Sequence, residues 1–277
     1  MTPRQRRQAL ARRWRRAFVV ATAICLAAYA VNALFFELSP ANVWGLTYGI
    51  AAAVLLVATA LYSARRRFPR SVSRWRLGSA RAWLYGHLYG GTLFLLLMLM
   101  HSGFSVPGGA VTWWLWALSL WTVASGLVGL ALQQWIPRVL GSGLEVEALY
   151  ERIPDLVADL RARADHLAAE CAEPIQALYG QRLAPALAGP QPRLRYYLDI
   201  TGGRRGALRE LDLLHRLLPP DEQDKLAELT EMYRTKLQLD AQYTLQKGLR
   251  GWLWLHVPVS LVVLILLVIH VIAVWYY

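Results

Sequence analysis

Apolar residues fall in five long runs, separated by polar stretches of very different length. The runs cover residues 17–36, 43–63, 82–102, 110–135 and 251–277. Each has about 20 residues or more, the length that an α-helix needs to cross a hydrocarbon layer of roughly 30 Å. No charged residue occurs from Gly251 onward. The pattern predicts an all-α protein, a polytopic membrane helical bundle with five transmembrane helices.

The longest polar stretch predicts a soluble, mainly helical insert between the fourth and fifth membrane helices. We therefore divide the chain into a basic leader (1–16), membrane helices one to four (17–136), the insert (137–250) and the fifth membrane helix (251–277). The division explains why 56% of the residues are hydrophobic although the net charge is +12.

Periodicity and turn residues predict the elements of the insert. Apolar positions at helical spacing favour helices over 145–171, 207–218 and 222–246. A loop is expected at 184–192, a short strand at 194–200 and a turn at 202–206. The last helix of the insert is expected to run almost directly into the fifth membrane helix, with a break near Gly248 and Gly251.

Positive charge marks one side of the membrane. Of the 30 Lys and Arg residues, seven lie in 1–16, seven in 64–82 and the other 16 in 137–250, whereas the loops at 37–42 and 102–109 have none. The positive-inside rule then places the N-terminus and the insert in the cytoplasm and the C-terminus outside. The basic residues are expected to contact lipid, and no nucleic-acid-binding module is present.

Several cofactor classes are excluded by the sequence. Two cysteines cannot hold an iron–sulfur cluster, which takes four ligands. No C-x-x-C-H motif for covalent haem occurs, and no G-x-G-x-x-G stands at a strand–helix turn to bind flavin or nicotinamide.

Four of the six histidines lie in membrane segments, as two pairs with the same spacing. His87 and His101 are fourteen residues apart, and so are His256 and His270. Fourteen residues amount to nearly four helical turns, so both members of a pair face nearly the same way, about 21 Å apart along the helix. Imidazole is costly in lipid without a partner, and it is a common haem ligand.

Topology predicts which histidines meet. The third and fifth helices both run from the cytoplasm outward, so His87 should lie at the depth of His256, and His101 at the depth of His270. We predict that each pair binds one haem b. Gly90 and Gly91, one turn from His87, would leave room for a porphyrin.

Two arginines are candidates for contacts with a bound haem. Arg81 and Arg250 lie near the cytoplasmic histidines, where they would pair with haem propionates or act as boundary charges.

The four membrane histidines have three alternative roles besides haem binding: ordinary buried hydrogen bonding, a zinc site and a proton relay. Zinc needs ligands that converge on one point, and relays usually enlist Asp or Glu, which these segments lack. His166 and His215 are expected to be ordinary insert residues.

The histidine pattern resembles that of the dihaem membrane cytochromes b of prokaryotic respiratory chains. The resemblance lies in the two H-x13-H pairs, the GH…GG…HSGF stretch from Gly86 to Phe104 and the His256-x-Pro258…His270 helix. Ferric-reductase-like proteins and cytochrome b subunits of dehydrogenases share such pairs. The resemblance covers the third to fifth helices, and the insert departs from it.

The resemblance implies an electron-transfer subunit of the inner (cytoplasmic) membrane, with the four histidines as axial haem ligands. Electrons would pass between a quinone pool and partner subunits, such as a multihaem cytochrome or an iron–sulfur or flavin protein. Tyr243, Gln246 and Lys247 are candidates for a quinone site. The alternatives are a non-redox membrane scaffold whose insert docks a partner, and a transmembrane ferric reductase.

Overall fold

The computed structural model describes residues 2–36, 39–67, 78–141, 149–197 and 202–276. Every secondary-structure element within these ranges is helical, which confirms the all-α prediction. The chain divides into two units. One comprises Met1–Val128 and Trp254–Tyr277, and the other comprises Gly129–Leu253.

Among the described residues, five helices are long and apolar enough to cross a membrane. Four of them are α1 (Pro3–Phe35), α2 (Val43–Arg67), α3 (Ala80–His101) and α4 (Ala110–Gly141), and the fifth is the last helix of the chain. The five apolar runs of the sequence coincide with these helices, so the prediction of a membrane protein with five transmembrane helices is supported by helix length and composition.

Helix α1 extends through the basic leader. The Thr2 hydroxyl accepts the backbone N–H of Gln5, and the Gln5 side chain accepts the backbone N–H of Thr2, which together form a capping box. Arginine is a good helix former, so nothing stops the helix between this cap and the apolar run. The sequence analysis placed the start of the helix at residue 17, too late by about four turns.

Side chains of the first unit pack along the inward faces of its helices. The buried cluster joins α2 and α3 to the last helix and consists of Tyr48, Ala52, Leu56, Phe94, Leu97, Met100 and Val263. The outward faces carry large apolar side chains instead: Val54 is 62% exposed and Leu34 is 77% exposed. Soluble proteins rarely expose so much apolar surface, whereas lipid solvates it.

The second unit includes the end of α4, a single turn of 3₁₀-helix (Tyr150–Arg152) and the helices α5 (Ile153–Ala169), α6 (Glu173–Leu178), α7 (Ala184–Leu187) and α8 (Gly202–His215). The predicted helix over 145–171 therefore begins at Ile153, and residues 142–148 lie outside the described ranges. A buried core that includes Ile175, Leu183, Leu187, Leu211 and Leu229 holds these helices to the last one.

Three predictions for the insert are wrong in detail. The expected strand at 194–200 is a short 3₁₀-helix, Leu194–Tyr197, with 198–200 outside the described residues. A strand needs a partner to satisfy its backbone; Tyr196 instead packs into a fully buried position against Ala241 and Leu245. The expected turn at 202–206 is the start of α8, and the expected loop at 184–192 contains α7.

The last helix, α9 (Pro220–Tyr276), is continuous for 57 residues. The predicted break near Gly248 and Gly251 is absent. Gly248 provides close approach rather than a bend, because a Cβ there would overlap the ring of Tyr197. The Tyr197 hydroxyl donates to the carbonyl of Thr244 at 2.8 Å, so the ring lies flat along the helix.

Candidate functional site

All four membrane histidines belong to the first unit. His87 and His101 lie on α3, and His256 and His270 lie on the apolar part of α9. The imidazole rings of His101 and His270 face each other with 6.3 Å between their centroids and an angle of 73° between their planes. His256 is buried and lies within electrostatic range of His87. The structure thus brings His101 and His270 face to face and places His256 in the neighbourhood of His87.

Backbone carbonyls of α2 hold the two histidines of α3. Nδ1 of His87 lies 3.0 Å from the carbonyl oxygen of Thr59, and Nδ1 of His101 lies 2.8 Å from that of Gly45. Because a carbonyl oxygen only accepts, each Nδ1 carries the proton and each Nε2 has the lone pair. A hydrogen bond from the distal ring nitrogen to a carbonyl is the usual arrangement of a metal-ligating histidine.

The Ser125 hydroxyl of α4 holds His256 in a similar way, by a hydrogen bond at Nδ1. Nδ1 of His256 lies 2.8 Å from the Ser125 hydroxyl oxygen, and that hydroxyl donates its only hydrogen to the carbonyl of Thr122 at 3.0 Å. The Ser125 oxygen must then accept from Nδ1 of His256. The lone pair of His256 is therefore also on Nε2.

Small residues make the space for two of these rings. A Cβ on Gly49 would lie 2.9 Å from Nδ1 of His101, and one on Gly126 would lie 3.5 Å from Cε1 of His256. Any larger residue at Gly49 would displace the imidazole. The sequence analysis missed Thr59, Gly45 and Gly49, although the G-x-x-x-G spacing of the two glycines is a signal for close helix packing.

The two glycines proposed to accommodate a porphyrin differ from each other. A Cβ on Gly90 would lie 2.9 Å from the methyl group of Thr59, so that glycine lets α2 approach α3 beside His87. Gly91 has nothing within 4 Å of its Cβ position and borders open space. Gly90 also lines an apolar cavity beside His87.

The two candidate arginines have different surroundings. Arg81 is exposed in the first turn of α3. Arg250 belongs to the second unit, where its guanidinium pairs with Glu151 and lies 4.1 Å from the centroid of the Tyr150 ring. The charge of Arg250 is thus balanced by Glu151 within the second unit.

The three quinone candidates lie near the same tyrosine. The ring of Tyr243 stacks on the ring of Tyr150, with 4.8 Å between the ring centroids and 7° between the ring planes. A hydrogen bond that Tyr150 donates to Tyr243, together with burial, raises the pKa of Tyr150. Lys247 is exposed, and Gln246 is half-buried. None of the three lines either of the two cavities described below.

An apolar cavity of about 520 Å³ lies beside His87, between α1, α2 and α3. Its walls include Trp14, Trp83, Gly86 and Tyr89. This volume lies within the range of roughly 300–1,000 Å³ that small-molecule sites occupy. His87 thus has free space on the side of α3 that faces α1 and α2, whereas no residue of the last helix lines this cavity.

The geometry of the histidines fits a haem iron held from two sides. Two metal–imidazole bonds of about 2.0 Å, together with the radii of the two rings, separate the centroids by about 6 Å. The 6.3 Å between His101 and His270 agrees with that spacing. No group of three or more His, Cys, Asp or Glu side chains that could hold a metal occurs in the described part of the chain. Two protein ligands suit a bis-histidine haem iron, whereas a zinc site takes three or four protein ligands.

No protein-family model, curated protein sequence or solved structure matches this chain. The resemblance to dihaem cytochromes b therefore depends on the histidine pattern alone.

Proposed function

We propose that this chain is a membrane electron-transfer protein that binds two haems b, one between His87 and His256 and one between His101 and His270. The observation that carries the proposal is the facing pair of His101 and His270 at 6.3 Å. The matched spacing on α3 and α9 supplies a second pair about 21 Å away along the helices.

The protein's contribution is to hold and tune four imidazoles. The Nδ1 bonds to Thr59, Gly45 and Ser125 fix the tautomer of three rings and present Nε2 as the ligating atom. They also make each imidazole more electron-rich, which strengthens its donation to a metal. Bound haem would supply an iron centre that takes up and releases one electron.

Two such sites at different depths would connect the two membrane faces. The distribution of arginine supports a cytoplasmic N-terminus and insert. On that orientation His87 and His256 lie at the cytoplasmic side, and His101 and His270 at the outer side. The donor and acceptor would be quinone or other redox subunits, and the lipid bilayer of the inner membrane would surround the five helices.

Haem content tests the proposal directly. We would purify the full chain in detergent from cells with ample haem supply, record a reduced-minus-oxidised spectrum and count haem by the pyridine haemochrome assay. We expect two haems b per chain. His270→Ala should retain one haem, because the His87–His256 pair remains.

The insert provides matched controls. His166→Ala and His215→Ala remove histidines of the second unit and should leave both haems in place. Size-exclusion chromatography would check that each variant is folded. A wild-type protein without haem would refute electron transfer and favour a membrane scaffold, and two haems in His270→Ala would refute the assigned ligand.

A further inference from the structure

The second unit contains a cavity of about 400 Å³ beside the segment 178–186, the loop at 191–193 and helices α8 and α9. Its apolar walls include Leu183, Leu211 and Tyr233, and its polar lining consists of Gln181, Arg182, Gln191 and Arg193. A cavity of this size lined by both apolar and polar side chains can hold a small organic molecule that has an apolar part and a polar group.

Side chains of α9 hold the loop that carries the polar groups. The backbone N–H of Gln191 donates to Oδ1 of Asp240 at 2.8 Å, and that of Arg193 donates to the Thr244 hydroxyl at 3.2 Å. The Arg193 guanidinium in turn donates to the side-chain oxygen of Gln191 at 2.6 Å. The position of Arg193 at the cavity is thus fixed through both backbone and side chain, as preorganised binding requires.

The loop at 191–193 is anchored to a buried ion pair on α9. Nζ of Lys236 lies 2.7 Å from Oδ2 of Asp240, and both side chains are only 1% exposed. Burying two charges is costly, and an apolar pair of similar size is often as stable. The Asp240 carboxylate has a further use here, because its second oxygen anchors Gln191.

The cluster has more positive than negative charge. Arg193 acts electrostatically on both Lys236 and Asp240, so two cations share one carboxylate. No carboxylate of the described residues lies within ion-pair distance of Arg193. A guanidinium has five N–H donors, and only one bond from it, to the neutral Gln191, is made within the described part of the chain. An anion in the cavity would balance this charge.

We propose that the cavity binds a small organic carboxylate, with the carboxylate on Arg193 and the apolar part against Leu183, Leu211 and Tyr233. A guanidinium binds a carboxylate through two parallel hydrogen bonds, and the apolar walls favour an organic acid over an inorganic anion. The site lies within the insert and is independent of the haem-binding proposal.

Benzoate is a suitable probe, because it combines a carboxylate with a ring that the cavity could enclose. Isothermal titration would use the full chain in nanodiscs, with empty nanodiscs as the blank. We expect saturable binding of one benzoate per chain. Benzyl alcohol, which has the same ring without the charge, should bind at least tenfold more weakly, since a hydrogen bond to a charged group is lost.

Three variants locate the site. Arg193→Gln should weaken benzoate binding by about tenfold or more, and Arg193→Lys should recover part of the loss. Arg209→Gln removes the same charge from an exposed position on α8 and should have no effect. Equal binding to wild type and Arg193→Gln, equal binding of benzyl alcohol, or no saturable binding to wild type would overturn the proposal. Haem content, measured on the same samples, should not change in any variant.

Discussion

At the scale of single residues, the main structural feature is that hydrogen bonds fix the orientation of imidazole rings in an apolar layer. Three of the four membrane histidines direct Nδ1 at an oxygen of a neighbouring helix, supplied by Thr59, Gly45 and Ser125. A buried polar atom without a partner costs several kcal/mol in hydrocarbon. Each bond therefore fixes both the rotation of a ring and its tautomer.

The Ser125 hydroxyl should tune the site at His256. In Ser125→Ala, Nδ1 of His256 loses its acceptor, and the imidazole becomes a weaker donor. We expect the midpoint potential of one haem to rise by roughly 40 mV, the one-electron equivalent of a hydrogen bond of about 1 kcal/mol. A redox titration followed by absorbance would measure the shift.

Ser119→Ala is the matched control, because it makes the same change on the same helix. The Ser119 oxygen is buried and makes no hydrogen bond to the described residues. Its removal should leave both potentials unchanged. If the two variants gave equal shifts, the effect would come from α4 in general and not from the bond to His256.

Gly49 should be required for the site at His101. A Cβ in Gly49→Ala would lie 2.9 Å from Nδ1 of His101 and push the ring away from the carbonyl of Gly45. We expect loss of one haem per chain, measured by the pyridine haemochrome assay. Gly108→Ala, where the Cβ also meets nothing within 4 Å and which lies outside the proposed site, should keep both haems. Retention of two haems in Gly49→Ala would contradict the assigned position of His101.

At the scale of elements, α9 combines two environments in one helix. Its C-terminal part is apolar and carries two histidines, whereas its earlier turns bury Lys236 and Asp240 within the second unit. Burial lowers the pKa of Lys236 and raises that of Asp240, so both charges depend on their mutual contact. The ion pair also joins α9 to the loop at Gln191.

Breaking this ion pair should destabilise the protein strongly. Lys236→Met leaves Asp240 as a buried charge and should cost about 3–5 kcal/mol. The double variant Lys236→Met/Asp240→Leu should recover part of that loss, because no charge remains buried. Lys247→Met, at an exposed position of the same helix, should change stability by less than about 0.5 kcal/mol. Thermal unfolding in detergent, followed by circular dichroism, would compare them; equal midpoints for the Lys236 and Lys247 variants would contradict this role.

At the scale of the whole molecule, the distribution of charge sets the expected orientation. The arginine-rich leader, the loop at 64–82 and the insert should share the cytoplasmic side, and the loop at 102–109 should lie outside. The exterior of the membrane helices needs no polar cover, because lipid solvates exposed side chains such as Val54 and Leu34.

Labelling of single cysteines tests this orientation. Cys25 and Cys171 would first be replaced, since they are the two cysteines of the chain. In spheroplasts, a membrane-impermeant maleimide should label Ser105→Cys and leave Arg209→Cys unlabelled until the membrane is opened. Both positions are exposed, so access to them should depend on sidedness. The reverse pattern would place the insert outside and exchange the depths of the two histidine pairs.

The sequence by itself determined the helical class, the five membrane helices and the spacing of the histidines. These properties depend on local quantities: the length of an apolar run, the placement of charge and the 3.6-residue period of a helix. The capping box of α1 is also a local property of the sequence, because Thr2 and Gln5 form it, although the start of α1 was not predicted from it.

Only the tertiary structure decided which groups hold the imidazoles and how the insert folds. A carbonyl acceptor such as Gly45 has no signature in the sequence, since every residue has a carbonyl, and its role depends on how α2 lies against α3. The glycine-rich start of α8 and the glycines of α9 are helical because α8 packs into the core through Leu211 and Tyr197 packs against α9. Contacts between distant residues here outweigh local propensity, which is worth at most about 1 kcal/mol per glycine.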